Sequence, residues 1–332
     1  HVSNRIAIMS VCQVVEEGPL DTLGGRRMRE PGRERMSLGG GRVVSDNCGR
    51  AILMILLSGL SFSLVAVMVR MAGEVPIYEK VFFRSVVMLA AMGAAAVRSR
   101  ENPFSRNPRM RLLILRGMFG TTAMFLYFFA IERLTIADAT VLNKLSPFFV
   151  TLFAVLFLRE KLSKYIVPVL IVAFAGAALI VKPEFSLEAL PAVGGLLSAA
   201  ASGAAYTVVR HLRGDEPPYR IVFYFSLVSV VVAVPPMIAH FVMPEGIQWV
   251  YLFGGGVFAT TGQIALTLGY HQAPATRVSI YVYAHIIFAF LLGLLLWGEM
   301  PDVLSIIGTV IIITAAVYNY RKVLADTATS TG

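Results

Sequence analysis

Apolar residues dominate this chain in long runs separated by short polar turns. From Ala51 onward each run is about 17–25 residues long, the length a helix needs to cross roughly 30 Å of hydrocarbon. Ten such spans are predicted, at 51–72, 78–97, 111–130, 137–157, 164–181, 190–211, 219–240, 247–270, 274–297 and 302–320. Their connections are short, and several carry proline (Pro76, Pro103, Pro108, Pro183, Pro217, Pro218, Pro244, Pro301), so none holds a soluble domain. The pattern predicts one all-α integral membrane bundle.

Within that pattern one stretch occurs twice. Residues Ala130 to Lys164 read AIERLTIADATVLNKLSPFFVTLFAVLFLREKLSK, a small-residue turn, a long apolar span and the charged cluster Arg159-Glu160-Lys161. Residues Gly269 to Asp302 read GYHQAPATRVSIYVYAHIIFAFLLGLLLWGEMPD, the same order ending on Glu299. Glu160 and Glu299 are 139 positions apart, and the same offset carries Ala130 onto Gly269, Leu134 onto Ala273 and Ala137 onto Thr276 without a gap. This is an internal duplication, and a duplication inside a membrane-embedded chain points to a transporter.

Composition agrees with lipid as the solvent of most of the chain: 57 % of residues are hydrophobic and the mean hydropathy is +0.72. The net charge of +9 does not signal nucleic acid, because the basic residues fall in short clusters between apolar runs and not along one amphipathic face. Those clusters set the orientation instead. With the N-terminus in the cytoplasm, Arg42, Arg50, Arg98, Arg100, Arg106, Arg109, Arg111, Arg159, Lys161, Lys164, Arg210, Arg213, Arg220, Arg277, Arg321 and Lys322 all fall inside. Arg70, Lys80, Arg133 and Lys182 fall outside, an asymmetry of about four to one that predicts both termini cytoplasmic.

Five spans per half is an odd number, so the halves enter the membrane in opposite senses and the repeat is inverted. The expected organisation is a disordered cytoplasmic tail over 1–50, a first five-helix repeat over 51–182, an inverted second repeat over 190–322 and a short tail over 323–332. The N-terminal stretch is rich in Gly and Arg without an apolar period, and Met36 is an expected initiator. The span at 51–72 is too long for a signal-peptide core. The only cysteines, Cys12 and Cys48, both precede it, so no disulfide framework and no cysteine-based metal site organises the core, and no cofactor is called for.

These features resemble the drug/metabolite transporter superfamily, specifically its EamA branch of ten-helix carriers. The block RGMFGTTAMFLYFFAIERLTIADATVLNKLSPFFVTLFAVLFLREKL and its echo TRVSIYVYAHIIFAFLLGLLLWGEM carry the resemblance, with VPIYEKVFFRS in helix two and a Gly-containing helix after each glutamate (Gly176 after Glu160, Gly308 after Glu299). The family often has two glycines in each of those helices. Here Val169 stands at the earlier site of the first half and Ala315 at the later site of the second. The resemblance implies a multi-pass protein of the bacterial inner membrane that moves a small metabolite, a class including amino acids, nucleotide-like cofactors and drugs.

An ionisable side chain deep in a span costs at least about 2.5 kcal/mol, so such residues are candidates for function. Arg84 lies about two turns into helix two, Lys144 about two turns into helix four, and His285 near the middle of helix nine. One reading has Arg84 and Lys144 snorkel to the outer interface, or pair with Glu79 at the start of helix two. The sharper reading makes them a basic patch in a central cavity, Arg84 receiving a carboxylate or phosphate by its fork and Lys144 as a point charge. His285 is then the companion from the second half and a candidate for proton coupling.

Tyr127, Tyr206, Tyr224 and Tyr281 are candidate walls for a planar or amphipathic solute, with Tyr281 sharing the His285 face of an α-helix and Tyr283 pointing elsewhere. Asn143 is a candidate hydrogen-bonding group beside Lys144, or a bond across helices. Pro147 frees backbone groups near the midplane, which lines a cavity or marks a packing kink. Glu160 and Glu299 sit at membrane edges and read as structural capping or pairing residues, and Trp249 and Trp297 as interface anchors. The expected function is a secondary carrier that exports or exchanges a small anionic or zwitterionic metabolite by alternating access. The alternatives are a multidrug or organic-cation exporter of the same family and an intramembrane enzyme. The enzyme is disfavoured because no H-E-x-x-H, C-x-x-C, Walker-type loop or Gly-x-Ser-x-Gly occurs. The expected partners are the bilayer and a small-molecule substrate.

Overall fold

A computed structural model of the chain describes residues 48–100, 102–104, 109–158, 166–181, 189–212, 216, 218–272 and 279–330. The described residues form eleven α-helices and no strand. The first half holds α1 (Cys48–Met71), α2 (Ile77–Arg98), α3 (Met110–Arg133), α4 (Ile136–Asn143), α5 (Ser146–Leu158) and α6 (Ile166–Val181). The second holds α7 (Leu190–His211), α8 (Pro218–Ala239), α9 (Gln248–Gln272), a 3-10 segment (Ser279–Tyr283), α10 (Ala284–Trp297) and α11 (Val303–Ser330). Among the described residues nine stretches are long and apolar enough to cross a membrane; α4 with the start of α5 makes one of them, and the 16-residue α6 is shorter. With α6 there are five crossings in each half. The tail expected over 1–50 lies outside the described residues, apart from the first turn of α1, as do Arg159 to Lys164 with Glu160. At the other end α11 continues to Ser330, past the boundary expected at 322.

The helices pack as a two-fold pair of halves. α1 lies against α9 as α3 lies against α7; α1 meets α10 as α5 meets α7; α2 meets α9 as α3 meets α8. Two contacts, α2 with α8 and α6 with α11, cross the pseudo-axis itself. Because lipid is as apolar as leucine, small residues and polar groups hold such helices together while large apolar side chains face outward. Ile238, Leu295 and Val310 are exposed, whereas Ser58, Ser61, Ser63, Thr121 and Ser229 are buried. Thr121 and Ser229 meet across α3 and α8 at 2.8 Å, and Ser63 bonds back to Gly59 and across to the carbonyl of His285 at 3.2 Å.

The two glycines retained in the last helix of each half face one another. A Cβ on Gly308 would stand 2.5 Å from the carbonyl oxygen of Gly176, and a Cβ on Gly176 would stand 2.9 Å from that of Gly308. The departures at Val169 and Ala315 fall in the same buried cluster, away from this closest approach. One crossing point therefore keeps both of its glycines.

The fourth and ninth spans are broken, where the sequence pattern predicts continuous helices. α4 stops at Asn143 and α5 starts at Ser146, because Pro147 has no N–H to give the carbonyl of Asn143 and its ring excludes that carbonyl. The step is made by tight bonds, Leu145 N–H to Leu142 O at 3.1 Å and Phe148 N–H to Leu145 O at 2.9 Å. In the second half the 3-10 segment gives way to α10 at Ala284, which the offset of 139 places on Leu145. The first half thus presents the start of a 13-residue half-helix, α5, in the interior, whereas in the second the 3-10 segment runs on into the 14-residue α10.

Where α1, α3 and α10 end and α2 and α4 begin, polar ties close the bundle. Gly298, at φ +65, turns the chain after α10 so that Glu299 folds back over Gly293, where a Cβ would stand 3.0 Å from the carboxylate. Glu299 pairs with Arg70 of α1 and accepts the first N–H of α4, Ile136, at 3.0 Å. Arg70 also donates to Leu134 O at 3.2 Å and lies over Trp297, with 5.1 Å from its guanidinium carbon to the ring centre. Lys80 bridges to Glu132 at 2.6 Å and to Gly73 O at 2.8 Å. Glu79 accepts from Val242 N–H at 2.8 Å, so it ties α2 to the turn after α8 and is not the partner of Arg84 or Lys144.

Candidate functional site

Between the two halves lies a cavity of about 250 Å³. It takes its walls from both broken spans and from the inward faces of α1, α2, α3, α7, α8, α9 and α11. Its lining includes Arg84, Arg116, Lys144 and His285, and no Asp or Glu among the described residues.

Two cationic groupings stand on different elements. Arg84 of α2 and Arg116 of α3 interact electrostatically with each other and with Tyr206 of α7. Arg84 reaches the Met124 sulfur at 2.6 Å, a weak acceptor, and its Nε has no partner among the described residues. Arg116 is 9 % exposed and lies over Phe225, with 4.3 Å from guanidinium carbon to ring centre. Its Nε and Nη1 also lack partners among the described residues. Gly120, one turn further along α3, makes room for it, since a Cβ there would come within 2.7 Å of Arg116 Nη1.

The second grouping sits at the breaks. Lys144 caps the C-terminus of α4 and precedes the N-terminus of α5; His285 is the second residue of α10 and interacts electrostatically with Lys144. His285 is 5 % exposed, and neither ring nitrogen has a partner among the described residues. Its ring is tilted toward Phe62 at a centroid distance of 6.2 Å. Asn143 donates to Ser198 Oγ at 3.2 Å, joining α4 to α7, while its side chain also lines the cavity. Tyr127 lines the same cavity, its hydroxyl 3.1 Å from that of Thr140. Buried donors without acceptors are costly, and a cavity lined by several of them is built to receive acceptors from outside the protein.

Of the residues singled out in the sequence, Arg84, Lys144, His285, Asn143, Tyr127, Tyr206 and Pro147 meet at this cavity. Tyr281 does not: it is 38 % exposed, and Tyr283 lines the cavity in its place. The reason is local, because residues 279–283 wind as a 3-10 helix, where the α-helical rule of facing residues four apart does not hold. Tyr224 is buried against Phe223 and Phe104 at centroid distances of 5.8 and 6.4 Å, and its neighbour Phe225 takes the cavity wall. Adjacent residues on α8 differ by about 100° in direction, so only one of the pair faces inward. Arg116 escaped the sequence reading because it follows Arg111 closely and passes for one more interfacial cation. The rule that selects Arg84 also selects it, since it lies more than a turn inside its span. Gln263 and Asn319, polar residues of α9 and α11 on the same cavity, carry no such signal.

Comparison with known proteins places this geometry. The sequence profile of the EamA-like transporter family matches residues 49–182 and again 190–321. The pseudopaline exporter CntI of Pseudomonas aeruginosa strain UCBPP-PA14 is 36 % identical over 283 residues, covering 83 % of this chain and 97 % of that protein. An uncharacterized transporter of Helicobacter pylori strain J99 is 27 % identical, covering 79 % of this chain and 91 % of its own length. Human solute carrier family 35 member G1 is 25 % identical, covering 81 % and 78 %. A crystal structure at 21 % identity superposes with a TM-score of 0.58 over 84 % of this chain and 99 % of that one, a likeness of fold alone. Two matching repeats that share one cavity, and relatives matched along most of their length, make this chain a multi-pass membrane transporter of the EamA-like family.

Proposed function

We propose that the protein is a secondary carrier that exports or exchanges a small anionic or zwitterionic metabolite by alternating access. The observation that carries this reading is the cavity at the seam of the halves, lined by Arg84, Arg116, Lys144 and His285 and by no acid among the described residues. An organic cation would meet repulsion there, whereas a carboxylate or phosphate would supply the acceptors these donors lack. The relative that exports pseudopaline supports export as the direction. Inverted halves support rocking about the cavity, which opens it to one side and then the other. The distribution of Lys and Arg supports both termini in the cytoplasm, and the bacterial relatives support an inner-membrane location. His285 is the group assigned to proton coupling, and no step of bond making is assigned to the site.

The test is counterflow in proteoliposomes with labelled amino acids, carboxylates, phosphorylated metabolites and organic cations. Movement of anions or zwitterions, lost in Lys144→Gln and Arg84→Gln, is the expected result. Movement of organic cations alone, or turnover of a compound without its translocation, overturns the proposal.

A further inference from the structure

The carrier reading leaves the chemical class of the solute open, and the placement of the cations narrows it. Four basic side chains on one cavity, with no acid among the described residues, exceed what a single carboxylate needs. They also divide by the elements that carry them. Arg84 and Arg116 belong to α2 and α3 and share Tyr206, while Lys144 and His285 belong to the two broken spans and interact with each other. Apolar and aromatic residues, Phe62, Val65, Met124, Tyr127 and Phe128, line the same space.

Each grouping has its own unsatisfied donors. In the first, the Nε of Arg84 and the Nε and Nη1 of Arg116 are buried without partners among the described residues, and Arg116 is held there by Phe225 and by the space at Gly120. In the second, both nitrogens of His285, one a donor and one an acceptor in the neutral ring, are buried without partners among the described residues. Beside them lies Lys144, at the step into α5, where Phe148 and Phe149 N–H already bond Leu145 O and Pro147 has no N–H, so the second grouping rests on its side chains. A single anion that satisfies one grouping leaves the other desolvated and unneutralised.

Resting on the carrier reading, we propose that the cavity takes a solute with two anionic groups joined by an apolar or aromatic spacer. One anionic group sits at Arg84 and Arg116, and the other at Lys144 and His285. The spacer lies along Tyr127 and Phe128. The two-pole arrangement selects for the separation of the anionic groups as well as for charge.

The experiment is thermal unfolding of the purified protein in detergent with linear α,ω-dicarboxylates of three to nine carbons and their monomethyl esters as probes. Stabilisation is expected to peak at one chain length, with half-saturation for that diacid at least about tenfold below that of its monoester. Arg116→Gln and Lys144→Gln are each expected to bring diacid and monoester together, and Arg116→Lys to restore part of the difference. Equal half-saturation for diacids and monoesters in the unsubstituted protein, no dependence on chain length, or no stabilisation by any diacid overturns the two-pole site. Counterflow separates this failure from that of the carrier reading: monocarboxylates moving as well as diacids remove only the second pole, whereas movement of organic cations alone removes both.

Discussion

Arg116 and Lys144 are cations that no carboxylate among the described residues neutralises, and their positions explain how the interior tolerates them. Arg116 gains from the face of Phe225, an interaction worth about 0.5–2 kcal/mol, and from the space at Gly120, while Lys144 sits where the α4–α5 break opens the backbone to the cavity. Arg116→Gln removes a charge-assisted donor and is expected to weaken half-saturation for a charged solute about tenfold or more, by a loss of about 1.5–3 kcal/mol. Arg111→Gln, on the exposed side at the start of α3, serves as its comparison and is expected to leave half-saturation unchanged, measured by counterflow. His285→Asn is expected to remove the drive supplied by an imposed pH gradient and to weaken, without abolishing, exchange at equal pH, measured in the same vesicles. Arg84, Lys144 and His285 were legible in the sequence because charge inside an apolar span is a strong signal on its own. Tyr281 and Tyr224 do not line the cavity, because a tyrosine's direction depends on the local helix type and on a rotation of about 100° per residue, which composition does not carry.

The elements that matter most are the two interrupted spans and the turn that follows each. Glu299 reached its place through Gly298 and Gly293, and it joins α10 to α1 through Arg70 and to α4 through the N–H of Ile136. Glu299→Gln keeps an acceptor for Ile136 but removes the charge facing Arg70. It is expected to lower stability by about 1–3 kcal/mol, seen as a fall in the detergent unfolding midpoint. Glu245→Gln, exposed at the same end, is expected to stay within about 0.5 kcal/mol. Gly308→Ala pushes a methyl into the carbonyl of Gly176 and is expected to cost about 1–3 kcal/mol. Gly254→Ala meets only the flexible end of Met68 at 3.4 Å and is expected to be close to neutral in the same assay. The sequence announced the helices by length and hydropathy and the repeat by its offset. It did not announce the breaks as breaks, because Pro147 is compatible with a kinked helix, and in the second half the corresponding change of winding at Tyr283 has no proline to mark it.

At the scale of the molecule, the two halves meet around one cavity, and contacts on one side of the pseudo-axis have counterparts on the other. The ties formed by Arg70 with Glu299, Lys80 with Glu132 and Glu79 with Val242 all gather at the end where α1 finishes. Many cavity residues, among them Ser58, Arg116, Gln263 and Tyr320, lie nearer the opposite end of their helices. Alternating access requires the tied end to open once in each cycle. The most direct measurement is counterflow through Arg70→Cys/Glu299→Cys protein, made in a Cys12→Ser/Cys48→Ser background, before and after bridging by a short bis-methanethiosulfonate. The account predicts that the bridge stops counterflow and that reductant restores it to the rate of the unbridged double variant. Unchanged counterflow through fully bridged protein would contradict it.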